Sequence, residues 1–313
     1  MMQAMIYFRQ IRRSTLRSVF IGLIVLLLVL VQFEPAILKA EVRVTDDLGQ
    51  VIVLKEPALR IISLYGAYSE ILFSMGLGNR LVARTRADRF PPAILDKPSV
   101  GTHLRPHMEL VLGLEPDLIV QAQGKKHGHE VIRQIQQEGL AVASFQPATF
   151  EALFSVIHRL GTLTGAEQAA GMLVKSMQGR LDRLNQRLAS KGRRPTVFFE
   201  VRYPNLLGAG QQSIVNEVIL KAGGINCLSN RKKLVRINIE TLIGYNPDVY
   251  VIQSGPMNRN PGDPRDRSNF QAIKAVREGR VMFVDEYLFS RPGPRSVDAA
   301  EQLAAFLHPE ESQ

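Results

Sequence analysis

Residues 164–192 read TGAEQAAGMLVKSMQGRLDRLNQRLASKG. Thr164 and Glu167 stand as Thr-x-x-Glu, a capping box in which each side chain satisfies a free amide at a helix start. From there Ala166, Ala169, Ala170, Leu173, Met177, Leu181, Leu184 and Leu188 recur at steps of three and four, while Lys175, Gln178, Asp182, Arg183 and Gln186 fall off that stripe. The spacing predicts one amphipathic helix, closed by Gly192 and Pro195. About 24 residues rising 1.5 Å each make a rod of roughly 36 Å, longer than one small lobe needs. The rod is therefore expected to join two lobes.

On either side of it one pattern occurs twice. ELVLGLEPDLIV, residues 109–120, aligns with ETLIGYNPDVYV, residues 240–251, matching Glu109 to Glu240, Gly113 to Gly244, Pro116-Asp117 to Pro247-Asp248 and Val120 to Val251. A weaker pair precedes each copy, Ser69-Glu70 through Gly76 to Asn79 against Asn216-Glu217 through Gly223 to Asn226. The period is far too long for a solenoid, so the expectation is two similar lobes.

Along the chain, strand and helix patterns alternate at the spacing of parallel βαβ units. Short apolar strands are predicted near 60–64, 80–83, 117–121 and 141–144, and again near 196–201, 248–253 and 281–284. Helices are predicted near 67–75, 106–113, 130–138, 213–222, 238–244 and 294–307, with a further helix opening at Thr149. A hairpin around Asp46-Asp47-Leu48-Gly49 precedes them, and Gly255–Arg267 reads as a loop. The predicted fold class is α/β: two Rossmann-like lobes with mainly parallel sheets, at 41–163 and 195–308, joined by one long rigid helix at 164–192 with a ligand cleft between them.

The formal charge of +10 falls to +6 once residues 1–40 are set aside, and no basic block longer than Arg231-Lys232-Lys233 exists. Nucleic-acid binding is not expected. In residues 1–40, four arginines precede a thirteen-residue apolar run, Val19–Val31, which suits a signal peptide better than a full membrane span. Leu38-Lys39-Ala40 offers a cleavage site, and an uncleaved N-terminal anchor is the alternative. Cys227 is the only cysteine, so neither an internal disulfide nor lipid attachment behind the apolar run is expected, and a core position is.

In open α/β sheets a ligand sits beyond the carboxyl ends of the strands. Those ends carry Tyr65, Tyr68, His103, Arg105, Lys125, Lys126, His127, His129, Arg202, Tyr203, Tyr287, Phe289 and Arg291, a basic and aromatic set suited to a bulky ligand bearing carboxylate, catecholate or phosphate groups. Tyr65 and Tyr68 are equally readable as packing residues. His103, His107, His127 and His129 cluster within 27 residues and could hold zinc or manganese directly, as a metal receptor or hydrolase, or stand as solvated loop histidines. No HExxH, GxSxG or P-loop pattern occurs, so no catalytic residue is assigned and no enzyme is expected. Glu109 and Glu240 open their helices, where a carboxylate complements the dipole; as a symmetric pair they also suit two copies of an arginine-bearing partner.

With these pieces in place the chain resembles the substrate-binding proteins of ABC importers for iron complexes and cobalamin. The resemblance covers about 42–308 and rests on Arg60–Leu64 followed by Ser69-Glu70, Val100-Gly101 followed by Pro106 and the first repeat, the single linking helix, the second repeat, and Ser290–Arg295 before the last helix. It implies a periplasmic, monomeric receptor holding an iron- or cobalt-containing complex, ferric siderophore or cobalamin type, with no cofactor of its own. Ligand contacts would come from Tyr65, Tyr68, His103, Arg105, Lys125, His127, Arg202, Tyr203, Phe289 and Arg291. The resemblance further implies that Glu109 and Glu240 dock onto arginines of a dimeric permease that works with ATPase subunits. Thr102 stands where haem-binding relatives tend to carry a ligating tyrosine, and the chain has no tryptophan.

Overall fold

The computed structural model describes residues 41–122 and 126–309, and of these the side chains of 126–129, 131 and 132 lie outside the description. The expected leader at 1–40, Lys125, and the side chains of His127 and His129 therefore fall outside the described residues.

The predicted hairpin is present as β1 (Val42–Thr45) and β2 (Val51–Leu54), antiparallel around the Asp46–Gly49 turn. There follow β3 (Ile61–Ser63), β4 (Leu81–Ala83), a ribbon of β5 (Gly101–Thr102) and β6 (Arg105–Pro106), then β7 (Leu118–Ala122) and β8 (Val142–Phe145). β3, β4, β7 and β8 form one parallel sheet in the order β4-β3-β7-β8. Beyond the connecting helix come β9 (Thr196–Arg202), β10 (Leu207–Ala209), β11 (Ile225–Asn226), β12 (Leu234–Arg236), β13 (Val249–Ser254) and β14 (Val281–Asp285). Their order is β12-β10-β9-β13-β14, with β11 also on β9.

The duplication is visible in the topology. β3, the helix Gly66–Ser74 and β4 are repeated by β9, the helix Ile214–Lys221 and β11, each ending in a strand parallel to the first. The helix Met108–Gly113, β7 and β8 are repeated by the helix Ile239–Tyr245, β13 and β14. The second lobe adds β10 and β12, which run antiparallel, so its sheet is mixed.

The repeated Pro-Asp has one physical job in both lobes. Asp117 accepts from the amides of Leu59 and Arg60 at 2.7 and 3.0 Å, and its own amide donates to the Arg60 carbonyl. Asp248 accepts from the Thr196 amide at 2.9 Å and the Thr196 hydroxyl at 3.0 Å, and its amide donates to the Thr196 carbonyl. Each aspartate thus closes the open amides at the head of the neighbouring parallel strand, where no ladder partner is available.

The connecting helix spans Glu167–Leu188, 22 residues, or about 33 Å. Ala170, Val174, Met177, Leu181 and Leu184 form its buried stripe, at alternating steps of four and three. The capping box expected at Thr164 is not made. Thr164 ends the preceding helix, Phe150–Thr164, where its hydroxyl donates to the Leu160 carbonyl at 2.7 Å, and Gly165 turns the chain at φ +63°. Ala166 caps the connecting helix with no side-chain bond. The two helices cross closely at Gly161, where a Cβ would lie 2.6 Å from the Ala170 methyl. Beyond the midpoint of the connecting helix Arg180 pairs with Asp298 and Glu301 on the last helix, Ser296–Leu307. One apolar core, from Val44 through the helix stripe to Leu307, runs beneath both lobes. Cys227 packs half-buried on the second-lobe core, and burial pushes its thiol up to about 12, in keeping with a core position.

Candidate binding site

The cleft lies beyond the carboxyl ends of the parallel strands and is lined from both lobes. A cavity of about 380 Å³ is bounded by Tyr65, Thr85, His103 and Gln146 from the first lobe and by Gln212, Ile214, Lys233, Glu286, Ser290 and Arg291 from the second. A second compartment of about 610 Å³ shares Gly66 and Arg291 with it and adds Glu70, Arg89, Asp285, Tyr287 and Arg295. These volumes fall within the usual range for small-molecule sites.

On the first-lobe side the Ser63 hydroxyl donates to the Tyr65 carbonyl at 2.8 Å, shaping the turn from β3 into its helix. Tyr65 faces the cleft with its phenol pushed up to about 12, chiefly by burial against the protein, an effect that the Arg291 charge opposes. Tyr65 also meets Tyr68 edge-on at 5.3 Å. Gly66 is needed where it stands, because a Cβ there would lie 2.6 Å from Arg291 Nη1 and 2.9 Å from Asp88 Oδ1. Asp88 is buried and accepts from the Thr85 hydroxyl at 2.7 Å and the Ser69 hydroxyl at 3.1 Å. Burial raises its pKa against those bonds.

The second-lobe wall is held by buried polar groups. Glu200 is fully buried and accepts from both guanidinium nitrogens of Arg267, the Tyr250 hydroxyl and the Asn258 amide. This pins the loop 255–267 against β9. Glu286 accepts from the Met257 amide at 2.7 Å at the start of that loop, and Gln253 donates to the Val201 carbonyl while accepting from the Ser290 hydroxyl. Arg295 then reaches across to Glu70 on the other lobe with two bonds of 2.7 and 2.8 Å. Glu70 is raised by burial, with Arg295 working the other way.

Of the residues expected to touch ligand, Tyr65, His103 and Arg291 are brought together on the cleft wall. Burial lowers the His103 pKa, and Arg291 adds to the effect. Tyr68 is instead fully buried, its hydroxyl donating to the Phe145 carbonyl at 2.6 Å, and it ties the first helix to β8. Phe289 is fully buried against Phe199. Tyr203 is covered by the Arg267 guanidinium at 3.9 Å, and Arg105 and Arg202 do not line the two compartments. Tyr287, named among the strand-end residues, lines the cleft as well, and Arg89, Glu286 and Arg295 join it; Arg295 stood in a recognisable segment, whereas Arg89 carried no pattern.

Of the four clustered histidines, His127 and His129 have side chains outside the described residues, so only His103 and His107 are placed. His103 lies in the turn of the β5–β6 ribbon and His107 follows its base. Among the described residues no three His, Cys, Asp or Glu side chains converge on a metal position.

Glu109 and Glu240 are exposed in the first turns of the helices that lead into β7 and β13. Each helix runs back along its strand, so both glutamates stand at the carboxyl-end side of their sheets, the side of the cleft. Neither makes a hydrogen bond or ion pair among the described residues.

Residues 61–288, most of the chain, match the family described as periplasmic binding protein. The chain belongs to that family. This periplasmic binding protein is 28% identical over 274 residues to an uncharacterized ABC transporter substrate-binding lipoprotein, YvrC, of Bacillus subtilis, with 86% of each chain covered. It is 27% identical over 259 residues to a vitamin B12-binding protein of Vibrio cholerae, covering 80% of this chain and 90% of that one. Among solved structures, a periplasmic heme binding protein from Pseudomonas aeruginosa matches with a TM-score of 0.72 at 25% identity, over 82% of this chain and 94% of that one. The two-lobe α/β fold and the receptor class expected from the sequence both hold. The metal-site alternative built on the histidines finds no support in these relatives.

Proposed function

We propose that this protein is the exported receptor of an ABC importer that captures a metal complex, ferric siderophore or cobalamin type, and delivers it to an inner-membrane permease. The observation that carries the reading is the cavity walled by strand ends of two duplicated lobes, in a chain of the periplasmic binding protein family. The relatives named for vitamin B12 and heme supply the class of ligand. No turnover is part of this reading, because the family is one of binding proteins and a named relative binds vitamin B12. Tyr65, His103 and Arg291 are the ligand contacts of this reading, and the protein works as a monomer in the periplasm.

Glu109 and Glu240 are the docking pair, exposed, without an ion pair among the described residues, and equivalent by the duplication. In Glu109→Ala/Glu240→Ala, chelate affinity and melting temperature should match the parent while uptake by cells carrying the transporter is lost. Retained uptake in that variant would remove the docking role.

A further inference from the structure

Glu70 and Glu217 stand at equivalent positions of the duplicated lobes, on the helices Gly66–Ser74 and Ile214–Lys221. Each meets the head of the other lobe's closing helix. Glu70 is bonded to Arg295, the residue that caps Ser296–Leu307. Glu217 lies at the head of Phe150–Thr164, where burial and the neighbouring Glu151 raise its pKa and the Phe150 amide supports its charge. The two closing helices are themselves equivalent, because each follows the last strand of its lobe, β8 or β14. The lobes are thus crossed twice, at two places related by the duplication.

The two crossings differ in strength and in backing. On the Glu217 side the link is one amide, and Leu181, Asp182, Asn185, Leu188 and Ala189 of the connecting helix line the recess of about 670 Å³ beside it. The chain itself holds the lobes there. Among the described residues, none from the connecting helix lines the compartment in which Glu70 and Arg295 meet. There the first lobe grips Arg295 from two sides. The Glu70 carboxylate accepts from its Nε at 2.8 Å and its Nη2 at 2.7 Å, and the Phe90 ring centroid lies 4.0 Å from the guanidinium. Two residues earlier, Gly293 lies against Ala67, where an added Cβ would come 3.6 Å from the Ala67 methyl. A carboxylate and a guanidinium joined by two parallel bonds are held in one orientation, and drawing them apart by about 1 Å breaks both at once. The glutamate is 7% exposed, so separation would leave its charge buried and unpaired, which disfavours the open arrangement.

We infer that Glu70 and Arg295 form an interlobe latch where the connecting helix gives no backing, and that this pair fixes the resting separation of the lobes. The Glu217 crossing is its duplicate on the hinge side, where the rod makes it dispensable. A partner that grips both lobes must break the Glu70–Arg295 pair to widen the cleft.

The test measures lobe separation in the purified protein, without ligand, by double electron–electron resonance between two spin labels. Asp96→Cys and Arg277→Cys, exposed positions in different lobes, carry the labels, with Cys227→Ala in the background. Glu70→Ala should broaden the distance distribution and move it outward by about 2 Å or more. Arg295→Gln removes the same pair from its wetter end, 22% exposed, and should do likewise, which covers a Glu70 variant too unstable to label. Glu217→Ala should leave the distances within about 1 Å of the parent, because the rod still holds that side. Parent-like distances in the Glu70 and Arg295 variants would overturn the latch, and so would equal widening in Glu217→Ala. No ligand enters the measurement, so either result leaves the receptor reading standing.

Discussion

Replacing Asp248 by asparagine should cost about 2 kcal/mol of folding stability at neutral pH, and the loss should disappear in acid. The carboxylate is 4% exposed and accepts from the Thr196 amide and hydroxyl and from Lys274 and Arg193. Burial works to raise its pKa, but the Lys274 ammonium and the Thr196 donors outweigh it and hold it at about 2, against an ordinary 3.8. A depression of just under two pH units, at about 1.36 kcal/mol per unit, gives the stated cost. Because the folded value is the lower one, the unfolded chain takes up the proton first as pH falls. The contribution is complete above about pH 5, shrinks between about pH 4 and pH 2, and is gone below that. Glu70, Asp88 and Glu286 act in the opposite sense, since burial raises their folded pKa and acid relieves the cost of their charge. The profile of the whole protein therefore mixes signs, and only the difference between parent and Asp248→Asn isolates this carboxylate. Urea unfolding followed by circular dichroism across the acid range reads that difference directly. A difference that stays constant with pH, or one below about 0.5 kcal/mol at neutrality, would refute the strand-head role.

Glu200→Gln should destabilise by roughly 3 kcal/mol, because the Arg267 charge, 5% exposed, loses the carboxylate it is paired with. Parent-like urea midpoints would contradict that, and chelate affinity should fall with it because the loop 255–267 is loosened. Gly66→Ala should lower the melting temperature and weaken chelate binding by about tenfold, since the new methyl would meet both the Arg291 tip and the buried Asp88 carboxylate that Thr85 and Ser69 hold in place. Unchanged affinity would mean that Arg291 does not contact ligand. The Cys227 thiol, pushed up to about 12 by burial, should resist alkylation in the native protein and react readily in urea at the same mildly alkaline pH. Rapid native labelling would contradict its place in the core.

What could be read in advance divides along physical lines. The lobes, the rod and the duplication rest on periodicity and on a repeated Pro-Asp, and these are local signals that tertiary packing reinforced. The strands β10 and β12 are too short and too irregular in pattern to announce themselves. Thr164 failed as a cap because its hydroxyl found the Leu160 carbonyl one turn back, and residues with short polar side chains always have that alternative. Tyr68 and Phe289 stand at strand ends just as Tyr65 does, and only the packing of the finished fold sends Tyr65 to the cleft and the other two inward. The pairing of Arg295 with Glu70 joins positions 225 apart, so nothing in either segment could foretell it. Arg89 sits in an excursion without periodicity, and its place beside Tyr287 comes entirely from how the lobes face each other.

The most direct measurement of the central claim is a titration of the purified protein with ferric siderophores, haem, cobalamin and bare metal ions, with the ligand recovered and analysed afterwards. Saturable binding of one metal complex, micromolar or tighter, with the complex returned chemically unchanged, is the predicted result. Stoichiometric uptake of bare zinc or manganese in place of any complex, or conversion of the ligand during the titration, would contradict it.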